Sequence, residues 1–214
     1  MKEHLRDVIE EWAKEKLKAV DAGHDWWHIK RVLVNAKKIH EIEGGDWSVI
    51  ELAVLLHDVP DPKFFDEEKM MIEIEQVLLD VQLPDSVIQH VLDIIRHLSF
   101  SKNWSDMQFD SPEFRIVQDA DRLDAIGAIG IARAFSYGGY KGRDFYNPEV
   151  KPQNYSNAEE YRNSKSTTIN HFYEKLLLLH SQMKTKTGKE LAQQRHLYML
   201  EFLKQFYNEI GESF

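Results

Sequence analysis

Histidines and aspartates that could share chemistry gather in three short segments of this chain of 214 residues, which contains no cysteine. The first is Gly23-His24-Asp25-Trp26-Trp27-His28-Ile29-Lys30-Arg31-Val32, in which His24 and His28 are four apart and share one helical face. The second is the pair His57-Asp58, set between the apolar residues Leu55-Leu56 and the prolyl turn Val59-Pro60-Asp61-Pro62. The third, Gln118-Asp119-Ala120-Asp121-Arg122-Leu123-Asp124, places three carboxylates in an otherwise apolar helix, with Asp121 and Asp124 on one face. Acids in a core helix are costly unless they meet positive charge. Salt bridges to Arg115, Arg122 or Arg133 would satisfy them. A divalent ion held jointly with imidazoles would do so as well, and the two His-bearing segments supply the imidazoles. Imidazole and carboxylate donors without thiolate suit a hard or borderline ion such as Mn²⁺, Mg²⁺, Fe²⁺ or Ni²⁺, with positions left for water.

The elements that must position these residues are helical by their periodicity. Leu5, Val8, Ile9 and Trp12 keep amphipathic spacing in the first segment, and a second helix is predicted over 26–43, stopped by Gly44-Gly45. Asp46 or Ser48 caps a third helix, whose apolar body Val49–Leu56 reads as buried on all sides. Its end is set by Pro60 and Pro62. Further helices are predicted over 67–80, from Pro84 to about 98, and from Ser111-Pro112 to about 135. Residues 136–157, rich in Gly, Tyr, Asn and Pro, read as irregular, followed by helices over 159–183 and 187–210. Thr187 and Glu190 have capping-box spacing at the start of the last one. The fold class is all-α.

Composition removes several functions. Hydrophobic residues are 43% and charged residues 29%, the balance of a chain able to bury a core. No run approaches the ~20 apolar residues of a membrane span. The start MKEHLRDVIEEWAKEK lacks a signal peptide's apolar stretch, so a cytoplasmic location and no membrane partner are expected. A net charge of −9 disfavours stable binding along a nucleic-acid backbone but is compatible with one small anionic substrate held by a metal and local cations. The sequence leaves a homo-oligomer open.

His28, then His57-Asp58, then Asp121 in an Ala-Asp-Arg-Leu context, resembles the H…HD…D pattern of the HD-domain metal-dependent phosphohydrolases. The segments HDWWHIKRV, LLHDVPDPKF, QDADRLDAIGAIGIARAF and HFYEKLLLL, in this order, are similar to the bacterial YpgQ/YedJ-type branch, which is associated with nucleotide pyrophosphohydrolase activity. The resemblance implies a single HD-type helical domain over 1–214, with a metal core over about 20–135. It implies His28, His57, Asp58 and Asp121 as ligands of one divalent ion, Mn²⁺ in the first place. It also implies that an acid shortly after the HD pair positions the attacking water. Asp61 holds that place here, where Glu is common in related branches.

A metal lowers the pKa of bound water and withdraws charge from a phosphoryl oxygen, and a carboxylate beside it can take the proton. Phosphate oxygens need further cations, for which Lys63 beside the HD pair, Lys102, Lys141, Arg143, Lys175 and Arg195 are the candidates. His24 is a candidate on the substrate side. His90 and His97, seven apart on one face, could hold a second ion. Tyr137, Tyr140, Phe145 and Tyr146 make 136–157 a candidate lid, with cations for phosphate and rings for a base. The expected activity is hydrolysis of a nucleotide by metal-activated water. The rivals are a phosphomonoesterase or alarmone-type hydrolase on the same ligands, and a regulatory module that binds metal or nucleotide without turnover.

Overall fold

Short polar residues set where the helices start. The computed structural model describes residues 3–18, 25–62, 65–98, 109–155, 160 and 166–214, and all regular structure among them is helical. The chain divides into two units, Met1–Ala120 and Asp121–Phe214.

In the first unit, α1 (Glu3–Leu17) is followed by α2 (Trp26–Glu43) and α3 (Trp47–Leu56). Asp25 opens α2 by accepting the His28 backbone N–H at 3.0 Å, and Gly44 closes it by donating to His40 at 2.8 Å. Asp46 caps α3 through Ser48 N at 2.8 Å. Every residue of α3 from Val49 to Leu56 is buried, Glu51 included, because the helix packs against α1, α2 and α5 (Asp85–Leu98). Each fully buried Leu, Ile or Val there contributes about 1.5–3 kcal/mol. α4 (Glu67–Asp80), capped by Asp66, lies against α5. The Ser111 hydroxyl accepts Phe114 N at 3.0 Å to open α6 (Pro112–Asp124).

α1 is tied down by ion pairs rather than by apolar contact alone. Arg6 pairs with Glu10 at 2.9 Å and with the buried Glu51 of α3 at 2.8 Å, while Lys30 of α2 reaches Glu10 at 2.7 Å.

In the second unit, α7 (Gly127–Tyr140) packs on α8 (Thr168–Glu174) and on α9 (Lys186–Glu209), and a 3₁₀ helix, Leu176–Gln182, lies against α8 and α9. Phe172 and Phe202 stack with ring centroids 5.7 Å apart, and Phe135 meets both rings. Phe206 and Tyr207 instead meet Tyr146 edge-on.

Four expectations need correction here. The helix expected from Ser111 to about 135 is two helices. Ile126 is extended and Gly127 takes φ +74°, a left-handed conformation that stops α6 and restarts the chain as α7. The stretch expected to be irregular from 136 is helical through Tyr140. Gly138 belongs to that last turn because a β-carbon there would stand 2.2 Å from Thr168 Oγ1. The helix expected over 159–183 is interrupted at Lys175, whose backbone (φ −143°, ψ −57°) leaves the α region between α8 and the 3₁₀ helix. The last helix is capped by Thr185, which accepts Gly188 N at 2.9 Å, and Thr187 is a buried residue of its first turn. No helix among the described residues is long and apolar enough to cross a membrane.

Candidate metal centre

The end of α3 delivers two neighbouring donors. His57 keeps helical angles as the C-cap, and the chain then passes through consecutive turns, with Val59 N donating to Leu56 O at 3.1 Å and Asp61 N to Asp58 O at 3.2 Å. His57 donates Nδ1–H to the Val54 carbonyl at 2.8 Å. A carbonyl only accepts, so Nε2 is the bare nitrogen, ready to act as a lone-pair donor. His28 sits one turn into α2, placed by the Asp25 cap.

His28 Nε2 lies 3.3 Å from His57 Nε2 and 3.3 Å from Asp58 Oδ2, and His57 Nε2 lies 3.3 Å from Asp58 Oδ1. All three residues are buried, His28 at 1% exposure. Among the described residues, this is the group of His and carboxylate donors that converges tightly, within 4.8 Å. The spacing fits a metal. Ligands about 2.0–2.2 Å from a common ion at tetrahedral or octahedral angles stand ~2.8–3.6 Å from one another. Two imidazole nitrogens and a carboxylate, all buried and all aimed at one point, are the donor set of a borderline divalent ion.

Asp121 is half-buried on α6, the residue after Ala120. Asp124 is buried and held by Arg133 at 2.7 Å, and Asp119 is fully buried. Arg122 donates to Gln182 O at 2.7 Å, and Arg115 pairs with Asp110. Asp61 is half-buried in the turn, its carbonyl accepting Phe65 N at 3.1 Å.

Lys141 is exposed and Arg143 half-buried just beyond α7, while Lys175 forms the C-cap of α8. Arg195 of α9 donates to Leu123 O, and burial lowers its pKa against the pull of Asp124. His24, Lys63 and Lys102 lie outside the described residues. His90 and His97 are engaged separately. His90 Nε2 is 3.0 Å from Ser111 Oγ and 3.6 Å from Glu113, whereas His97 donates Nδ1–H to Asp93 O at 2.7 Å and stacks on Phe109.

Sequence reasoning missed Asn35. It is buried on the apolar face of α2 between Val32, Ala36 and Ile39, and it donates Nδ2–H to Ala120 O at 3.1 Å. One amide in an apolar stripe was the available signal.

The family model of the HD domain matches residues 26–126, which contain all four positions of the H…HD…D pattern. YpgQ of Bacillus subtilis is 36% identical over 206 residues, covering 95% of this chain and 93% of YpgQ. The chain belongs to the HD-domain family. Its all-α fold is that of its solved relatives. An HD-superfamily hydrolase of Bacillus thuringiensis is 40% identical with a TM-score of 0.79, covering 99% of each chain. B. subtilis YpgQ in complex with ADP is 34% identical with a TM-score of 0.76, covering 96% of this HD-domain chain and 95% of YpgQ. The buried His28, His57 and Asp58 of this HD-domain protein fit the divalent metal that such domains bind.

Proposed function

We propose that this HD-domain protein is a divalent-metal-dependent phosphohydrolase acting on a nucleotide. The observation that carries the reading is the buried cluster of His28, His57 and Asp58, in which the two Nε2 atoms are 3.3 Å apart and each lies 3.3 Å from one Asp58 carboxylate oxygen. Asp121 would complete the ligand set by its place in the family pattern. Mn²⁺ suits two imidazoles and two carboxylates. When bound at these residues, such a metal would supply Lewis acidity at a phosphoryl oxygen and would lower the pKa of water. Asp61, held by the turn that begins at Asp58, accepts the proton as a water oxygen bonds to phosphorus and the bond to the leaving oxygen breaks.

Lys141, Arg143 and Lys175 neutralise phosphate oxygens, and Arg195 adds charge from α9. Support for a nucleotide comes from the YpgQ relative, solved with ADP. We also take residues 1–214 as one HD-type domain, because the family match at 26–126 crosses the division after Ala120. A panel of nucleoside di- and triphosphates assayed with Mn²⁺ and with chelator tests the function. Metal-dependent release of phosphate or pyrophosphate is expected, and no turnover of any nucleotide with a fully metal-loaded protein would overturn it.

A further inference from the structure

α1 lies before the residues 26–126 that match the HD-domain model, so the family pattern assigns none of its side chains. Its apolar face is narrow. Ile9, Ala13 and Leu17 recur every fourth residue and are buried, and α1 packs on α3. One row of apolar side chains holds a helix down without fixing how far it slides or turns, because apolar burial is non-directional. Charged residues beside that row fix α1 at two points.

At the first point Arg6 meets α3. Its Nε stands 2.8 Å from Glu51 Oε1, and its Nη2 stands 2.9 Å from Glu10 Oε2, one turn along α1. Glu51 is buried in a helix otherwise apolar from Val49 to Leu56, and among the described residues Arg6 is the cation that faces it. The contact is one of charge, since Nε is buried and makes no hydrogen bond among the described residues. At the second point Lys30 of α2 reaches Glu10 Oε1 at 2.7 Å, with its ammonium 5.3 Å from the centre of the Trp26 ring. Glu10 thus meets a cation of its own helix on one oxygen and a cation of α2 on the other.

Both anchor points lie on helices that carry metal donors. Lys30 is two residues past His28, and Glu51 is six before His57. His57 is bonded to the backbone of α3 through Val54 O at 2.8 Å, so its Nε2 follows α3. His28 follows α2, which Asp25 caps at His28 N. The 3.3 Å between the two Nε2 atoms is therefore a spacing between α2 and α3, and α1 is linked to both by charge. A buried ion pair adds little net stability over apolar residues of similar volume, and its best-attested use is to fix register.

We propose that Arg6 is a positioning residue for the metal centre. Paired with Glu51 directly and with Lys30 through Glu10, it sets the register of α3 against α2 and so the spacing of His57 and His28. The proposal rests on the metal centre of the phosphohydrolase reading and not on turnover.

The test uses the full chain, with calorimetric titration of Mn²⁺, the visible absorption bands of the Co²⁺-loaded protein, and urea unfolding in chelator. Arg6→Met should bind Mn²⁺ about tenfold more weakly and alter the Co²⁺ bands, and Arg6→Lys, which keeps the charge, should restore most of both. Arg6→Met combined with Glu51→Leu separates register from stability, and it serves where Arg6→Met alone does not fold. Two apolar residues then replace the pair, so unfolding in chelator should match or exceed wild type while Mn²⁺ binding stays weak and the Co²⁺ bands stay altered. Wild-type Mn²⁺ affinity and Co²⁺ bands in that double variant would overturn the proposal and leave Arg6 a stabilising residue only. So would an Arg6→Lys protein that binds Mn²⁺ no better than Arg6→Met. A wild type that binds Mn²⁺ but hydrolyses no nucleotide removes the phosphohydrolase reading and leaves the proposal standing. A wild type that binds neither ion removes both.

Discussion

Asn35 on α2 donates its amide hydrogen to the carbonyl of Ala120 on α6 at 3.1 Å, so the helix that carries His28 is bonded to the residue just before Asp121. Both groups are buried. Asn35→Leu fits the apolar surroundings but leaves the Ala120 carbonyl without this donor, and it should cost about 1–3 kcal/mol. The check is urea unfolding together with metal affinity. A purely local role for Asn35 would lower stability and leave the metal dissociation constant unchanged, whereas weaker binding of Mn²⁺ is expected here.

His57→Ala and Asp58→Ala should each abolish stoichiometric metal. One removes the bare nitrogen and the other the carboxylate of a three-donor triangle, and the remaining donors make an incomplete shell. Elemental analysis of protein purified with Mn²⁺ decides this. Equal metal content in wild type and His57→Ala would reassign the triangle to a hydrogen-bonded cluster.

Asp61→Asn should retain metal and lose turnover on the order of 10²-fold or more, the range removed with a general base. The carboxamide keeps the shape of the turn, in which the main chain of Asp61 donates to Asp58 and accepts from Phe65. An unchanged kcat at full metal occupancy would leave Asp61 as a turn residue only.

Gly138→Ala should destabilise the second unit by about 1–3 kcal/mol through overpacking. The added methyl would meet Thr168 Oγ1 at 2.2 Å, and that oxygen is itself buried with no hydrogen-bond partner among the described residues. Thr168→Ala removes the obstacle, so the double variant should recover most of the loss. A double-mutant cycle with no coupling would show that the helices shift apart instead.

His171 makes stability depend on pH with a definite sign. Burial first, and then the cations Lys175 and Arg143, put its folded-state pKa at about 3, below the usual 6.5, so between these values the unfolded chain binds a proton that the folded chain refuses. Stability is therefore full above about pH 6.5 and falls as the pH drops toward 3, by an amount on the order of a few kcal/mol. His196, lowered by burial and by His180, pulls the same way. The difference between wild type and His171→Gln in unfolding free energy at pH 7.5 and at pH 5 isolates the term. Equal losses in both proteins would show that His171 does not carry it.

Where a boundary has a strong local cause, the sequence was enough to place it. Asp25 and Gly44 fix α2 at Trp26–Glu43 because one caps orphan N–H groups and the other ends the ladder, and α3 reads as buried from its unbroken apolar run. The break between α6 and α7 was not legible. Ala125-Ile126-Gly127-Ala128 contains no proline, and Gly127 acquires its left-handed angle in packing against Arg195, whose β-carbon lies 3.0 Å from where a Gly127 side chain would begin. Thr185 and Thr187 offer the same hydroxyl two residues apart, and only the packing that buries Thr187 decides between them. In the site, His57-Asp58 stood out because a charge after an apolar helix is costly. Asn35 did not, because its partner Ala120 is distant in the chain and only folding reveals it.

The burial of α3 on every side also sets how this protein can vary. α2 turns Trp27, Val34 and Ile42 to solvent, so a library randomised along it should yield tolerated replacements at intervals of a turn or two. α3 has no such side from Val49 onward, and it ends directly in two of the metal donors. Selection for metal retention alone, with no demand on turnover, should therefore return α2 as a periodic pattern of open and closed positions. It should return Val49 through Asp58 as one continuous closed block.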